Sequence, residues 1–335
     1  MSEVMHGGRL NEAISRFGGK PEKWVDLSTG INPHSYPIPD IPATLWAKLP
    51  DAGEQQACEN AVRENFGVHR EAGVSLAPGT QAHIQHLPYL FKPQSVAIVG
   101  FTYQEHGVCW RRAGHDVYVT DGLESAEATA RIVVVVNPNN PDGRVFDRQE
   151  LAGLARRLGA KGGLLVVDES FADVTPNASV ANQAGRDGLL VLRSLGKFYG
   201  LAGARFGAAL GVVNVTRRLD EMLGPWAVSG PALHVATEAL LDTKWQKKTR
   251  KKLTAEREKL EEILIGNSHE VVGGTALFVL ARHGGAEELW EHLAKNQILT
   301  RRFPGKSEWL RFGLPSKKPE FTRLDKVLAQ FYSGD

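Results

Sequence analysis

Arg193 to Gly207 reads RSLGKFYGLAGARFG and lies between two apolar runs, Leu189–Leu192 and Ala208–Val213. It places a serine, a lysine and an arginine at Ser194, Lys197 and Arg205, in a setting too small and glycine-rich for an ordinary helix face. The flanking runs carry no polar alternation, the mark of strands buried on both faces.

Outward from that stretch the pattern repeats. Apolar runs at Ser95–Val99, Asp116–Val119, Ile132–Val136 and Leu164–Val167 alternate with helical patterns such as Gln104–Ala113 and Arg148–Leu158. Strands interleaved with helices predict an α/β fold with a mostly parallel, doubly wound sheet, in which ligands sit beyond the carboxyl ends of the strands. Those ends read Gly100-Phe101-Thr102-Tyr103, Asn137-Pro138-Asn139-Asn140-Pro141-Asp142-Gly143, Asp168-Glu169-Ser170-Phe171, and Ser194 with Lys197. Each alone has an ordinary explanation as a turn, a cap or a solvated lysine. Together they bring an aromatic ring, an amide, a carboxylate, a hydroxyl and an amine to one edge.

Upstream, a helical pattern at Glu54–Phe66 precedes a short strand at Val74–Ala77, and Pro78-Gly79-Thr80-Gln81 opens a further helix. The first-turn amides of a helix have no internal partners, so this start is a ready anion site. Residues 1–40, broken by Gly7-Gly8, Gly18-Gly19, Pro33, Pro37 and Pro39, read as an irregular N-terminal arm. Its segments His6-Gly7-Gly8 and Asp26–Pro33 are either packing turns or places where backbone amides, with His6 and Asn32, approach an anion.

Residues 41–244 are expected to form the large domain and 245–335 a small α+β one. The small one is read as a strand at Ala276–Leu280, a helix at Ala286–Lys295, a strand at Glu308–Phe312 and a helix at Arg323–Tyr332. A long helix near Trp245–Ile265 carries Lys247, Lys248, Arg250, Lys251 and Lys252, then Glu256, Glu258, Glu261 and Glu262. That balance reads as a solvated face rather than a nucleic-acid patch.

With 42% hydrophobic and 23% charged residues and a net charge of +2, the composition is that of a soluble globular protein and gives no general attraction to nucleic acid or membranes. No apolar run approaches the ~20 residues of a membrane span, and MSEVMHGGRL lacks a secretory pattern. A cytoplasmic location is expected. Cys58 and Cys109 are the only cysteines and read as reduced packing thiols; no metal is expected.

A lysine amine condenses with an aldehyde, and pyridoxal 5'-phosphate is the cofactor that turns such a link into an electron sink. Asp168 suits its pyridine nitrogen, Tyr103 its ring face and Asn140 its ring hydroxyl. The amides at Gly79, Thr80 and Gln81, the Ser194 hydroxyl and the Arg205 guanidinium suit its phosphate.

NPNNPDG, DES-F, SLGKFYGLAGARFG and Leu310-Arg311-Phe312-Gly313 together resemble the fold-type I pyridoxal phosphate family over nearly the whole chain. Within it, HGG, DLSTGINP, Phe171 in DESF and Pro225-Trp226 resemble the threonine-phosphate decarboxylases of cobalamin biosynthesis, close relatives of the histidinol-phosphate aminotransferases. The resemblance implies loss of carbon dioxide from L-threonine O-3-phosphate to give (R)-1-amino-2-propanol O-2-phosphate. It implies catalytic roles for Lys197, Asp168 and Tyr103, a cofactor contact for Phe171, and Arg311 as anchor of the substrate carboxylate. The substrate phosphate is expected near His6, Gly7, Gly8, Asn32 and Arg301. A homodimer is also implied.

Two positions depart from the relatives, which often carry a tyrosine where Leu49 stands and a threonine at Asp142. An aminotransferase remains the alternative, because the two reactions differ only in which Cα bond lies perpendicular to the cofactor ring. Phe171, where aminotransferases usually carry tyrosine, favours the decarboxylase. A non-catalytic binding module would leave the lysine, aspartate and arginine unexplained.

Overall fold

Ile132–Val136 reads IVVVV, and a β-branched run with no polar face is stable as a strand only when covered on both sides. In the computed structural model, which describes residues 7–333, this strand lies inside a seven-stranded sheet. The order across the sheet is Gly73–Ala77, Gly207–Gly211, Leu189–Ser194, Leu164–Asp168, Ile132–Val136, Ser95–Val99 and Asp116–Thr120. Only Gly207–Gly211 runs antiparallel to its neighbours; the remaining pairs are parallel. The fold is therefore α/β with a mostly parallel sheet, as the alternating pattern predicts. Pairing of Val136 with Asp168, and of Asp168 with Leu192, brings Asn137, Asp168 and Arg193 to the same edge.

Ile98, Trp110, Val134, Val166, Leu190, Leu192 and Leu219 pack in one buried cluster, each such side chain contributing about 1.5–3 kcal/mol of transfer free energy. Asp51 opens the helix Ala52–Phe66 by accepting from Glu54 N at 2.9 Å, and Gly67 closes it in the left-handed conformation at φ 63°. Cys58 and Cys109 are free and buried, and burial pushes their thiols up to about 12 and about 11. Among the described residues no helix is long and apolar enough to cross a membrane.

Contacts divide the chain into two compact units. One comprises Ser35–Asn140 and Arg144–Gln246 and holds the whole seven-stranded sheet. The other takes in the residues up to His34, Pro141–Gly143 and those from Lys247 onward. Its four-stranded antiparallel sheet runs in the order Arg301–Phe303, Lys306–Gly313, Phe278–Arg282, Glu270–Thr275, accompanied by the helices Ala286–Lys295 and Lys318–Ser333.

Several sequence expectations are corrected. The arm read as irregular contains a helix, Leu10–Phe17, and a strand, Val25–Asp26, parallel to Ile298–Leu299. Leu10, Ala13, Ile14 and Phe17 recur at helical spacing and pack with Trp24, Trp290 and Leu299, but the period is only two turns long between glycines. Asp116–Thr120, expected among the buried strands, is the sheet's edge, where Tyr118 and Val119 stay exposed. The strand expected at Ala208–Val213 ends at Gly211, and Val213 begins a helix to Leu223 whose valine-rich first turn resembles a strand continuation. The strand read at Ala276–Leu280 lies at Phe278–Arg282 and pairs with Glu270–Thr275, which Gly273-Gly274 had concealed.

Candidate active site

The strand Leu164–Asp168 ends on a carboxylate that is only 3% exposed. A buried carboxylate must be hydrogen-bonded or give up its charge. Asp168 Oδ1 accepts from Ser170 N at 2.9 Å and from Ser170 Oγ at 2.6 Å, while Oδ2 lies 2.9 Å from His106 Nε2. Burial would raise its pKa, but the bond and charge of His106 and the two bonds from Ser170 outweigh burial and hold the carboxyl below its ordinary range. Asp168 is therefore an anion at neutral pH.

A cavity of about 160 Å³ opens onto this group. Gly79, Thr80, Gln81, Tyr103, Asn140, Asp168, Phe171, Ser194, Lys197 and Arg205, all singled out in the sequence as cofactor ligands, line it. Lys197 Nζ lies 5.6 Å from the centroid of the Phe171 ring. Tyr103 donates its hydroxyl to Gln81 Oε1 at 3.0 Å, and Gln81 in turn donates to Glu105 at 3.1 Å. Burial, then Glu105 and Asp168, raise the Tyr103 pKa, so the phenol keeps its proton.

The anion-binding corner depends on two glycines. Gly79 sits at φ 88°, and a Cβ there would run into the Arg205 guanidinium. Gly207 brings its backbone so close to Thr80 N that a Cβ would clash with it. Arg205 itself has φ 51° and spans Ala202 O at 3.3 Å and Pro78 O at 3.4 Å. A cation, a hydroxyl and the helix-start amides of Thr80 and Gln81 around one corner, a lysine amine, and a buried carboxylate form the donor set that a phosphorylated pyridine aldehyde requires. The residues present fit that group.

The expected substrate residues lie in the other unit. His6 falls outside the described residues. Gly8 N donates to Ser28 Oγ at 2.8 Å, and a Cβ on Gly7 would strike Ser28 O. Arg311, 5% exposed, donates to Ser28 O at 2.9 Å, and Arg301 pairs directly opposite it across the sheet. Burial, then the charge of Arg301, pushes the Arg311 pKa down from its ordinary value, so an anion that meets this pair is favoured by both charges. Gly7, Ser28 and Arg301 line a small cavity of about 180 Å³. Asn32 is buried and accepts from His34 N at 2.8 Å.

Sequence reasoning missed His106 and Ser170. The first is a helix residue whose contact with Asp168 spans 62 positions, and no local spacing announces it. The second was visible in DESF as the residue two positions beyond an aspartate, the spacing of a local side-chain-to-backbone turn.

Comparison with known proteins accords with this geometry. The family model described as "Aminotransferase class I and II" matches residues 24–324. A threonine-phosphate decarboxylase of Pseudomonas aeruginosa is 42% identical over 332 residues, 97% of this chain and 97% of the relative. A second, from Sinorhizobium sp, is 42% identical over 333 residues, 98% of each. Among solved structures, histidinol-phosphate aminotransferase from Sinorhizobium meliloti in complex with pyridoxal-5'-phosphate superposes with a TM-score of 0.82 at 18% identity, covering 98% of this chain and 96% of that one. That last likeness is one of fold.

Proposed function

Because the chain belongs to the aminotransferase class I and II family, we propose that it is a pyridoxal-phosphate-dependent decarboxylase. Its substrate is L-threonine O-3-phosphate and its product (R)-1-amino-2-propanol O-2-phosphate, a step of cobalamin biosynthesis. The observation that carries this reading is the 42% identity over 97% of the chain to a relative of that activity, joined to a cavity in which Lys197, Asp168 and Arg205 converge.

When bound, the cofactor supplies an electron sink for the pair left on Cα as carbon dioxide departs. The chain's own residues bind, orient and move protons. Lys197 Nζ would be the amine that links to the aldehyde and would deliver a proton to Cα in the place of the departed carbon dioxide. Asp168, kept ionised by Ser170 and His106, balances a positive ring nitrogen. Tyr103 and Phe171 present ring surface, and Asn140 offers its amide to the ring hydroxyl. Ser194, Arg205 and the amides of Thr80 and Gln81 would hold the cofactor phosphate, with Gly79 leaving room for the Arg205 guanidinium. Arg311 takes the substrate carboxylate as a bidentate pair, and Gly7, Gly8, Asn32, Arg301 and His6 take the substrate phosphate.

We further assign the protein to the cytoplasm as a homodimer. Ile38, Trp46, Leu49 and Trp226 are each more than half exposed, and such apolar surface is what a second copy would cover.

The test is to incubate the cofactor-loaded protein with L-threonine O-3-phosphate while following carbon dioxide and the cofactor absorbance. Many equivalents of carbon dioxide with the lysine-linked absorbance retained are expected. Loss of that absorbance without carbon dioxide refutes the reading in favour of transamination, with histidinol phosphate the next substrate to try.

A further inference from the structure

Arg193 directly precedes Ser194 and has no part in the chemistry above, yet it is 3% exposed. Burying a guanidinium is costly unless its partners fit it closely. Nη1 donates to Glu169 Oε2 at 2.6 Å and Nη2 to Asp173 Oδ1 at 2.7 Å, while the guanidinium carbon lies 3.9 Å from the centroid of the Phe66 ring. Glu169 also accepts from Val180 N at 2.7 Å and from the Ser179 hydroxyl. Burial would weaken the cation, but Asp173 and Glu169 outweigh burial and keep it charged.

The position of the two carboxylates matters more than their charge. They bracket the turn that follows Asp168, so one guanidinium grips that turn at both ends. Between the anchors lie Ser170, which donates both bonds to Asp168 Oδ1, and Phe171, whose ring faces Lys197 Nζ. Arg193 belongs to the strand that leads into Lys197. A single side chain thus ties the strand before the lysine to the turn that holds the aspartate.

We propose that Arg193 is a positioning residue whose two-pronged grip on Glu169 and Asp173 sets the placement of Ser170 and Phe171, and through them the charge environment of Asp168 and Lys197. The inference rests on the cofactor reading above. Lysine at this position would keep the charge but offers no planar fork to two carboxylates. A purely structural pair would behave otherwise, since loss of a buried ion pair lowers stability without altering a site that stays folded.

The experiment compares wild type, Arg193→Lys and Asp173→Asn, each loaded with pyridoxal 5'-phosphate. It reads the pH midpoint of the bound-cofactor absorbance, the cofactor dissociation constant by tryptophan fluorescence, and the melting temperature. Expected in both variants is a midpoint moved by about half a pH unit or more and cofactor binding weakened by about fivefold or more, at temperatures where circular dichroism matches wild type. Asp173→Asn keeps the Glu169 pair and the side-chain shape, so it carries the test if Arg193→Lys does not fold. Folded variants that melt earlier but titrate and bind as wild type does overturn the proposal and leave Arg193 a structural ion pair. A wild type that shows no cofactor absorbance overturns the cofactor reading itself, a result distinct from the first.

Discussion

Replacing Asp168 with asparagine exchanges one oxygen for an NH₂ group and asks how far the site depends on charge rather than shape. The carboxylate accepts from Ser170 N, Ser170 Oγ and His106 Nε2 within 2.6–2.9 Å. An amide keeps one oxygen for Ser170, but its nitrogen then faces His106 Nε2, and the imidazole must change from donor to acceptor. Loss of that charge-assisted bond costs about 1.5–3 kcal/mol. The missing ionic contact with a positive ring nitrogen is a second contribution of the same size, felt only when cofactor binds. Cofactor affinity should therefore fall about 10- to 100-fold. Turnover should fall at least about 100-fold, because the charge acts most strongly where electrons collect on the ring. Fluorescence titration of the cofactor-free variant gives the first figure and carbon dioxide release at saturating cofactor the second. A dissociation constant within about threefold of wild type, together with unchanged turnover, would refute the argument that the ionised carboxylate carries the site.

Lys197→Ala should release no carbon dioxide and lose its cofactor on gel filtration while melting as wild type does; residual turnover would remove the lysine from the chemistry. Gly79→Ala places a Cβ against Arg205 at φ 88°, which should cost about 1–2 kcal/mol of stability and weaken cofactor binding more than tenfold, read by thermal melting and fluorescence titration. Asp220→Asn tests a carboxyl that burial, chiefly, raises to about 6. A native pKa above the unfolded one means that its stabilisation is whole below pH 3.8 and is lost as pH rises through about 6. The neutral variant should gain about 1–2 kcal/mol at pH 8, after allowance for partial exposure, and almost nothing at pH 4. Equal melting shifts at both pH values would contradict this.

The large sheet was legible because buried parallel strands leave an unusual trace, short β-branched runs with no polar alternation, and because ligands gather at their carboxyl ends. Lys197, Asp168 and Asn140 could be picked out by standing one to five residues beyond such runs. What stayed hidden depends on partners distant in sequence. His106 matters only through Asp168, and the partners of Arg193, Glu169 and Asp173, stand 24 and 20 positions away from it. The helix Leu10–Phe17 was too short to show its period, and Val213–Leu223 opens with residues that suit a strand as well as a helix. Asp116–Thr120, DVYVT, sets polar residues between its valines where Ile132–Val136 has none, and that alternation was the local sign of an edge.

That edge has a consequence for handling the protein. Among the described residues Asp116–Thr120 pairs on one side only, and it offers Tyr118 and Val119 to solvent. An unpaired row of amides and carbonyls beside exposed apolar side chains is a template on which another chain can add a strand, so concentrated solutions should aggregate from here first. The strand that leads to Lys197 lies four places away across the sheet. Val119→Lys would therefore act as a gatekeeper charge, lengthening the life of a purified sample while leaving catalysis untouched.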